Sequence, residues 1–190
     1  MRLIDISTKK HPKTFCIVDD SDYEFLSQWK WSAEQAKNKI YAVRSNKIGD
    51  KRRTMRMHNQ ITGIKNIDHI DGDGLNNQRG NLRKCTHMQN MANTPKRYGK
   101  HRYKGIAWQE HLQHWTSRIV SNKKRYNLGC FPTAELAAAA YNFAAKRLNG
   151  EFAWINPGIE INEDEVMAAR FSKKGNREKP IVPIVPPAYS

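Results

Sequence analysis

The stretch "NIDHIDGDGLNNQRGNLR", residues 66–83, is dense in acids, amides and glycines within a chain that is otherwise strongly basic. Its glycines and asparagines favour turns, but turns alone do not require the carboxylate of Asp68 beside the imidazole of His69. An acid next to an imidazole, followed by a glycine-rich turn and a distant amide, suits phosphodiester hydrolysis, because one group must deprotonate water while a cation neutralises the phosphate. The stretch is therefore a candidate active site as well as a candidate linker.

A helix-loop-helix calcium site does not fit the same residues. Such a loop needs oxygen ligands at positions 1, 3 and 5, glycine at position 6 and glutamate at position 12. A loop beginning at Asp71 would place Leu75 at position 5 and Asn76 at position 6. A loop beginning at Asp68 would place Asp73 at position 6. The sequence therefore argues against a calcium loop.

The charge of the whole chain indicates the kind of partner. The 190 residues include 33 Lys and Arg against 18 Asp and Glu, a formal net charge of +15, which favours a polyanion such as nucleic acid over a small-molecule substrate. No apolar run approaches the roughly 18 residues of a membrane span, and the first residues lack the apolar core of a signal peptide. We expect a soluble, cytoplasmic protein with no membrane partner.

The amino-terminal half is expected to be rich in strands. Within residues 1–57, short alternating segments ("TFCIVDD", "KIYAVRSN", "RRTMRMH") predict a small β-rich unit, and "YEFLSQWKWSA" could insert a short helix. Residues 58–95 contain the opening stretch and an amide-rich segment that ends at Pro95. The widely spaced Cys16, Cys85 and Cys130 form no Cys-x-x-Cys pair, so we expect buried free thiols.

The carboxy-terminal half has a different pattern. Residues 96–104 form a basic connector, and "YKGIAW", "WTSRIV" and "RYNLGCF" are three strand candidates. A helix is predicted in "PTAELAAAAYNFAAKRLNG", where Pro132 and Glu135 suit the start and Gly150 the end. Residues 157–190 contain a possible short helix, "NEDEVMAARFSKK", and a proline-rich tail that we expect to be mobile. The predicted fold class is α+β.

Residues 58–93 resemble the HNH nuclease motif of homing endonucleases, through "DHIDGDGLNNQRGNLR" and the following "CTHMQNMAN". In that family two strands and a helix hold one divalent ion. The resemblance implies that His69 is the general base and that Asp68 and Asn90 are the metal ligands. It also implies that the amide of Asn81 ties the turn together and fixes the His69 ring. One acid and one amide suit Mg²⁺ (or Mn²⁺) rather than zinc.

Two basic residues near this motif have alternative roles. For His58 we expect a supporting role through packing or hydrogen bonding. Arg83 could equally brace the fold or contact a DNA phosphate.

Residues 102–156 resemble the plant ethylene-response-factor (APETALA) DNA-binding domain, which is also found joined to HNH nucleases. The markers are "YKGI", "LGCFPTAELAAAAY" and the closing "NGEFAWIN". The resemblance implies a three-stranded antiparallel sheet that lies in the DNA major groove and a helix that packs behind it.

The alternation along these strands predicts which side chains face DNA. If Ser117 and Ile119 face the helix, Arg118 faces outward, and because arginine can contact guanine at two points, Arg118 and Arg125 are the candidates for reading bases. Asn127 shares their face, and the predicted phosphate contacts are Lys104, Lys123 and Lys124. Core packing, rather than base stacking, is expected of Trp108, Trp115, Tyr141 and Phe143.

Together these patterns predict a site-specific, metal-dependent endonuclease that cuts double-stranded DNA, from a phage or bacterium. It could be free-standing or intron-encoded, and it could act as a monomer or a homodimer. Two alternatives remain open: a non-catalytic DNA-binding regulator with a nuclease-like scaffold, and a defensive or structure-selective nuclease.

Overall fold

A computed structural model describes residues 1–48, 51–95 and 101–170. The chain divides into two compact units, the first spanning Met1–Asn90 and the second beginning at Met91. Both combine small antiparallel sheets with short helices, an arrangement compatible with the predicted α+β class. Among these residues, every helix is too short or too polar to cross a membrane.

The first unit begins with strands and one helix. Strand β1 (Arg2–Asp5) pairs with β2 (Phe15–Val18), helix α1 (Asp20–Leu26) follows, and β3 (Ser32–Ala36), β4 (Lys39–Ile48) and β5 (Lys51–Arg56) form a second antiparallel sheet in the order β3-β4-β5. The alternation in "TFCIVDD" gives β2 one buried side, with Cys16 and Val18 fully buried. They join Ile6 and Leu26 in the core of this unit.

Helix α2 (Met57–Thr62) follows β5 directly. The predicted strand in "RRTMRMH" therefore ends at Arg56, and the expectation that it continues through His58 is wrong. Met57 and Ile61 are one helical turn apart and are both buried in the core, so packing favours a helix here over the alternating pattern. Gly63 ends the helix in the left-handed conformation, with φ of 69°.

The opening stretch forms two strands that are followed by a helix. Strand β6 (Ile67–His69) pairs antiparallel with β7 (Leu82–Lys84), and α3 (His87–Ala92) follows. The turn between the strands is fastened to β2, because Ile17 donates its N–H to the Leu75 carbonyl and Asn77 donates to the Ile17 carbonyl, both at 2.8 Å. Residues 1–57 and the two strands thus belong to one packed unit.

Gly74 allows this turn to approach β4 closely. A Cβ atom at position 74 would lie 2.4 Å from the Ile40 carbonyl oxygen and 2.8 Å from the Tyr41 ring. No side chain fits at that distance, so glycine is required for the turn to lie against the strand.

The second unit is a three-stranded sheet covered by a helix. Strands β8 (Ile106–Gln109), β9 (His114–Ser121) and β10 (Lys124–Phe131) lie in the order β10-β9-β8, and α4 (Ala134–Asn149) packs across them, followed by α5 (Glu163–Ala169). Thr133 caps α4 by accepting a hydrogen bond from Leu136 N–H, and Gly150 ends it. The predicted strands and helix are confirmed within about three residues at each end.

Other sequence expectations have mixed outcomes. All three cysteines are buried free thiols, as expected. Gly105 in "YKGI" is explained by close packing, because a Cβ there would lie 1.9 Å from the Tyr141 ring. Most of the basic connector (residues 96–100) and the proline-rich tail (residues 171–190) lie outside the described residues.

Candidate active site

Asp68 and His69 are neighbours in β6, and both are buried, with 2% and 4% of their surface exposed. Because successive side chains of a strand point in opposite directions, the carboxylate and the imidazole have different surroundings. The carboxylate faces Arg83, and the imidazole contacts Asn77.

The Asp68 carboxylate forms an ion pair within the sheet. Arg83 is its register partner on β7, and Nη2 and Nε of Arg83 donate to Oδ2 of Asp68 at 2.9 and 3.2 Å. The Arg83 side chain is only 11% exposed. Of the two alternatives left open by the sequence, this position corresponds to bracing the fold, and a phosphate contact by Arg83 stays a prediction.

The His69 ring lies in a cluster of buried rings. Its Nε2 is 3.3 Å from Oδ1 of Asn77. The ring of His58 meets it edge to face, with centroids 4.9 Å apart, and the Tyr41 ring centroid lies 6.0 Å away. The packing role expected for His58 is therefore visible in the structure.

Burial makes both histidines poor proton acceptors compared with free imidazole. Burial lowers the pKa of His69 from its ordinary value; the hydrogen bond to the Asn77 amide oxygen and the charge of Asp71 oppose this, while the charge of Lys39 reinforces it. For His58, burial together with the charges of His69 and Arg56 lowers the pKa to about 3. The lowered pKa of His69 favours the uncharged ring, which is the form in which an imidazole can accept a proton from water.

Asn81 closes the turn between the two strands. Its amide nitrogen donates to Asp71 Oδ1 and to the Asn76 carbonyl, both at 2.9 Å, and its amide oxygen accepts the Asp71 N–H at 3.1 Å. Asp71 also accepts hydrogen bonds from Asn76 Nδ2 and Asp73 N–H, each at 2.8 Å. Asp71, Asn76 and Asn81 therefore hold the turn together through hydrogen bonds.

Asn77 is a residue that the sequence prediction missed. Its side chain is fully buried, and it supplies the polar contact to the His69 ring that was attributed to Asn81. In the sequence, only its place beside Asn76 in a row of turn-forming residues singled it out.

Asn90, the second predicted ligand, is exposed on α3. A reciprocal cap fixes the start of this helix: Gln89 N–H donates to Thr86 Oγ1 at 3.2 Å, and Thr86 N–H donates to Gln89 Oε1 at 2.7 Å. The Asn90 N–H bonds to the Thr86 carbonyl, so Asn90 lies in the first turn of a helix with a defined start.

The donor types present decide which metal could fit. In the described parts of the chain, no group of three or more His, Cys, Asp or Glu side chains could hold an ion. A buried carboxylate at Asp68 and an exposed amide at Asn90 would leave most ligand positions to water and phosphate oxygens, which is how Mg²⁺ commonly binds. By donor type these two residues suit a hard divalent cation, and the Asp68 carboxylate also accepts two hydrogen bonds from Arg83.

The second unit carries the predicted DNA-reading side chains on one side of its sheet. Arg118 pairs in register with Asn127, and Arg125 pairs with Val120. All four are exposed, whereas Ser117 and Ile119 are buried against the helix, so the predicted alternation is confirmed. Lys123 and Lys124 are exposed at the β9–β10 turn.

Lys104 has a different position from the other predicted phosphate contacts. Its Nζ donates to the carbonyls of Ala92 and Thr94 at 2.9 and 2.6 Å, and it lies 5.8 Å from the centroid of the Tyr141 ring. Lys104 thus satisfies carbonyl groups at the end of α3 within its own unit.

The predicted aromatic packing is found for most of the four rings. Tyr141 is in the core, and Trp115 and Phe143 pack against it. The Trp108 ring tilts against Trp115 and donates its Nε1–H to Glu110 at 2.7 Å.

Comparison with known proteins supports the nuclease resemblance. No protein-family model matches the chain. It is 28% identical over 141 residues to a protein of Acanthamoeba polyphaga mimivirus named as an uncharacterized HNH endonuclease, covering 74% of this chain and 73% of that relative. It is also 33% identical over 89 residues to Protein 3.8 of Escherichia phage T7, covering 46% of this chain and 72% of that relative.

These similarities support a relationship to HNH endonucleases and a link to phage proteins. The chain belongs to the same family as Protein 3.8 of phage T7.

Proposed function

We propose that this protein is a metal-dependent DNA endonuclease of the HNH type. The observation that carries the proposal is the buried imidazole of His69, the residue after Asp68 in β6, on a strand pair that is followed by the helix bearing Asn90. The relative named as an HNH endonuclease supports the same conclusion.

His69 would act as the general base. It accepts a proton from water as the water oxygen forms a bond to phosphorus, and the bond from phosphorus to the leaving oxygen breaks. Asn77 holds the Nε2 side of the ring, so the Nδ1 side is the one assigned to the water. Asp68 and Asn90 would hold Mg²⁺ or Mn²⁺, which supplies charge neutralisation at the phosphate and the leaving oxygen.

The second unit would hold the DNA. Its exposed sheet face presents Arg118, Arg125 and Asn127 together, and arginine and asparagine side chains recognise bases in the major groove. Lys123 and Lys124 at the adjacent turn would contact phosphates. We assign site preference to this face, in keeping with the resemblance to ethylene-response-factor domains.

One observation favours a second candidate, a DNA-binding regulator with a nuclease-like scaffold. The Asp68 carboxylate is already paired with Arg83 inside the sheet. A carboxylate that is neutralised in this way can serve stability without a metal. Under this alternative the charged sheet face binds DNA and the strand pair has no chemistry.

A plasmid assay separates the two candidates. Supercoiled plasmid is incubated with the full chain, with and without Mg²⁺, and nicked and linear products are resolved. We expect Mg²⁺-dependent cleavage that is lost in His69→Ala and retained in His111→Ala, which changes an exposed imidazole of the second unit. Nicked product would indicate a single active site per event, and linear product would indicate two.

DNA retention in a gel-shift assay is the second measurement. His69→Ala should bind DNA as the unmodified chain does. Binding without Mg²⁺-dependent cleavage by the unmodified chain would favour the regulator, and undiminished cleavage by His69→Ala would remove the base assignment.

A further inference from the structure

The β4–β5 hairpin carries a concentration of positive charge that neither the nuclease motif nor the DNA-reading sheet explains. Residues 44–56 contain six Lys and Arg and one acid, Asp50. β3 pairs with β4 only up to Val43, whereas β4 and β5 remain paired as far as Ile48 and Lys51. The distal part of the hairpin is therefore a two-stranded ribbon extending beyond the third strand.

The basic side chains divide between the two faces of this ribbon. Register pairs share a face and alternate along the strands. One face, here called the Tyr41 face, contains Tyr41, Val43, Ser45, Lys47, Arg52, Thr54 and Arg56. The opposite face contains Arg44, Asn46, Lys51, Arg53 and Met55. The four distal charged residues, Lys47, Arg52, Lys51 and Arg53, are all exposed, two on each face.

Only the Tyr41 face leads to the candidate active site. The Tyr41 ring centroid lies 5.9 Å from that of His58 and 6.0 Å from that of His69. Arg56 places its guanidinium over the Tyr41 ring, 4.7 Å from the centroid. The opposite face instead turns toward the core side of the sheet, where Arg44 lies over the Trp29 ring.

The length of this face suits a segment of duplex. Six residue steps separate Tyr41 from Lys47, and at about 3.3 Å per residue they span about 20 Å. Because base pairs rise about 3.4 Å along the axis, this distance corresponds to about six base pairs. Positive side chains spaced along such a path can contact successive backbone phosphates.

We propose that Lys47, Arg52 and Arg56 form a second DNA-binding surface, which holds the phosphate backbone next to the bond that is cut at His69. The inference rests on the proposed nuclease function, and it adds a contact within the first unit. This surface contributes affinity and alignment that do not depend on sequence, while base reading belongs to the second unit. Arg56 is the part of the surface nearest the site, and Lys47 with Arg52 is the distal part.

The hairpin supplies its own matched control. Lys47→Ala/Arg52→Ala and Lys51→Ala/Arg53→Ala each remove two positive charges from adjacent exposed positions, and they differ in the face affected. Arg56 is left unchanged because its contact with Tyr41 couples it to the packed rings. Thermal unfolding of both double variants shows whether the hairpin stays folded.

The experiment measures duplex binding by the full chain as a function of salt, without divalent metal, in a His69→Ala background. A phosphate contact contributes about 0.9 to the slope of log affinity against log salt. We expect Lys47→Ala/Arg52→Ala to reduce this slope of log affinity against log salt by about 2. At 0.1 M salt, each lost phosphate contact should weaken duplex binding by about eightfold. Lys51→Ala/Arg53→Ala should leave the slope nearly unchanged. Equal effects of the two pairs, or no effect of either, would overturn the proposal.

Cleavage is then measured with His69 restored. Slower cleavage at limiting protein by the Lys47/Arg52 variant, and not by the Lys51/Arg53 variant, supports the alignment role. If the unmodified chain cuts no DNA but the difference in slope persists, the nuclease function fails and the binding surface stands. If the unmodified chain cuts DNA and both pairs behave alike, the binding surface fails and the nuclease function stands.

Discussion

Arg83 lies directly opposite Asp68 in the β6–β7 pair, and two nitrogens of its guanidinium donate to one carboxylate oxygen. Both side chains are largely out of water. In a buried pair, the loss of one partner leaves a charge without compensation, which costs more than the intact pair contributes. Arg83 therefore compensates the charge of the predicted metal ligand and fixes its carboxylate in the sheet.

Arg83→Met should destabilise the first unit strongly. Because Asp68 would remain buried without its partner, we expect the free energy of unfolding to fall by about 3 kcal/mol. Arg2→Met is the control, since Arg2 pairs with Glu24 and the two side chains are 47% and 82% exposed, so water can replace the contact and the loss should be smaller. Chemical denaturation measures both. Equal losses of unfolding free energy in the two variants would show that burial does not increase the contribution of the Arg83–Asp68 pair to stability.

Asn77→Ala should slow cleavage without changing DNA binding. The substitution removes the oxygen that contacts Nε2 of His69, so the ring loses a group that orients it. Outer partners of metal-ligating histidines typically contribute ten- to a hundredfold in activity, and we expect a loss of about that size for the partner of a general base. Asn77→Asp, which keeps an acceptor oxygen, should recover part of the rate in single-turnover assays. An unchanged rate in Asn77→Ala would contradict the orienting role.

Regular periodicity made much of the fold predictable. The alternation in β2, β9 and β10 and the helical spacing in α4 correspond to buried and exposed sides in the structure. In these elements one face packs against a core, so the pattern of apolar residues reports the structure directly. Helix α2 was missed because its six residues complete too few turns for a helical pattern to stand out.

The site was predictable only in part. Asp68 and His69 were identified because their types and order resemble a known motif, and the structure places them in a buried strand pair. The Asn77 contact, the Arg83 pair and the position of Lys104 depend on chain segments that meet only after folding. The sequence identified Lys104 as a cation, but it could not show that the Lys104 ammonium group donates hydrogen bonds to two backbone carbonyls.

Lys104 and Lys124 should behave differently when each is replaced by methionine. Lys104 donates to two backbone carbonyls, so Lys104→Met should lower the free energy of unfolding by about 1 to 3 kcal/mol through unsatisfied polar groups. Lys124 is exposed, so Lys124→Met should leave stability nearly unchanged and reduce the salt dependence of DNA binding by about one phosphate. Denaturation and salt titration test the pair, and a reversed pattern would restore Lys104 as a phosphate contact.

His58 should make stability depend on pH in the mildly acidic range. Its pKa is lowered to about 3 in the folded chain, chiefly by burial, against about 6.5 in the unfolded chain. Between these values the unfolded chain binds a proton that the folded chain does not, so stability is fully present above about pH 6.5 and falls as the pH decreases toward 3. The slope of stability against pH from this one group approaches 1.4 kcal/mol per pH unit.

His58→Gln removes the titration, so the free energy of unfolding should change less between pH 7 and pH 5 than it does in the unmodified chain. Because the substitution also changes stability by an amount that does not depend on pH, the two chains are compared by how steeply their free energies of unfolding change with pH. Identical slopes would show that protonation of His58 does not destabilise the folded chain.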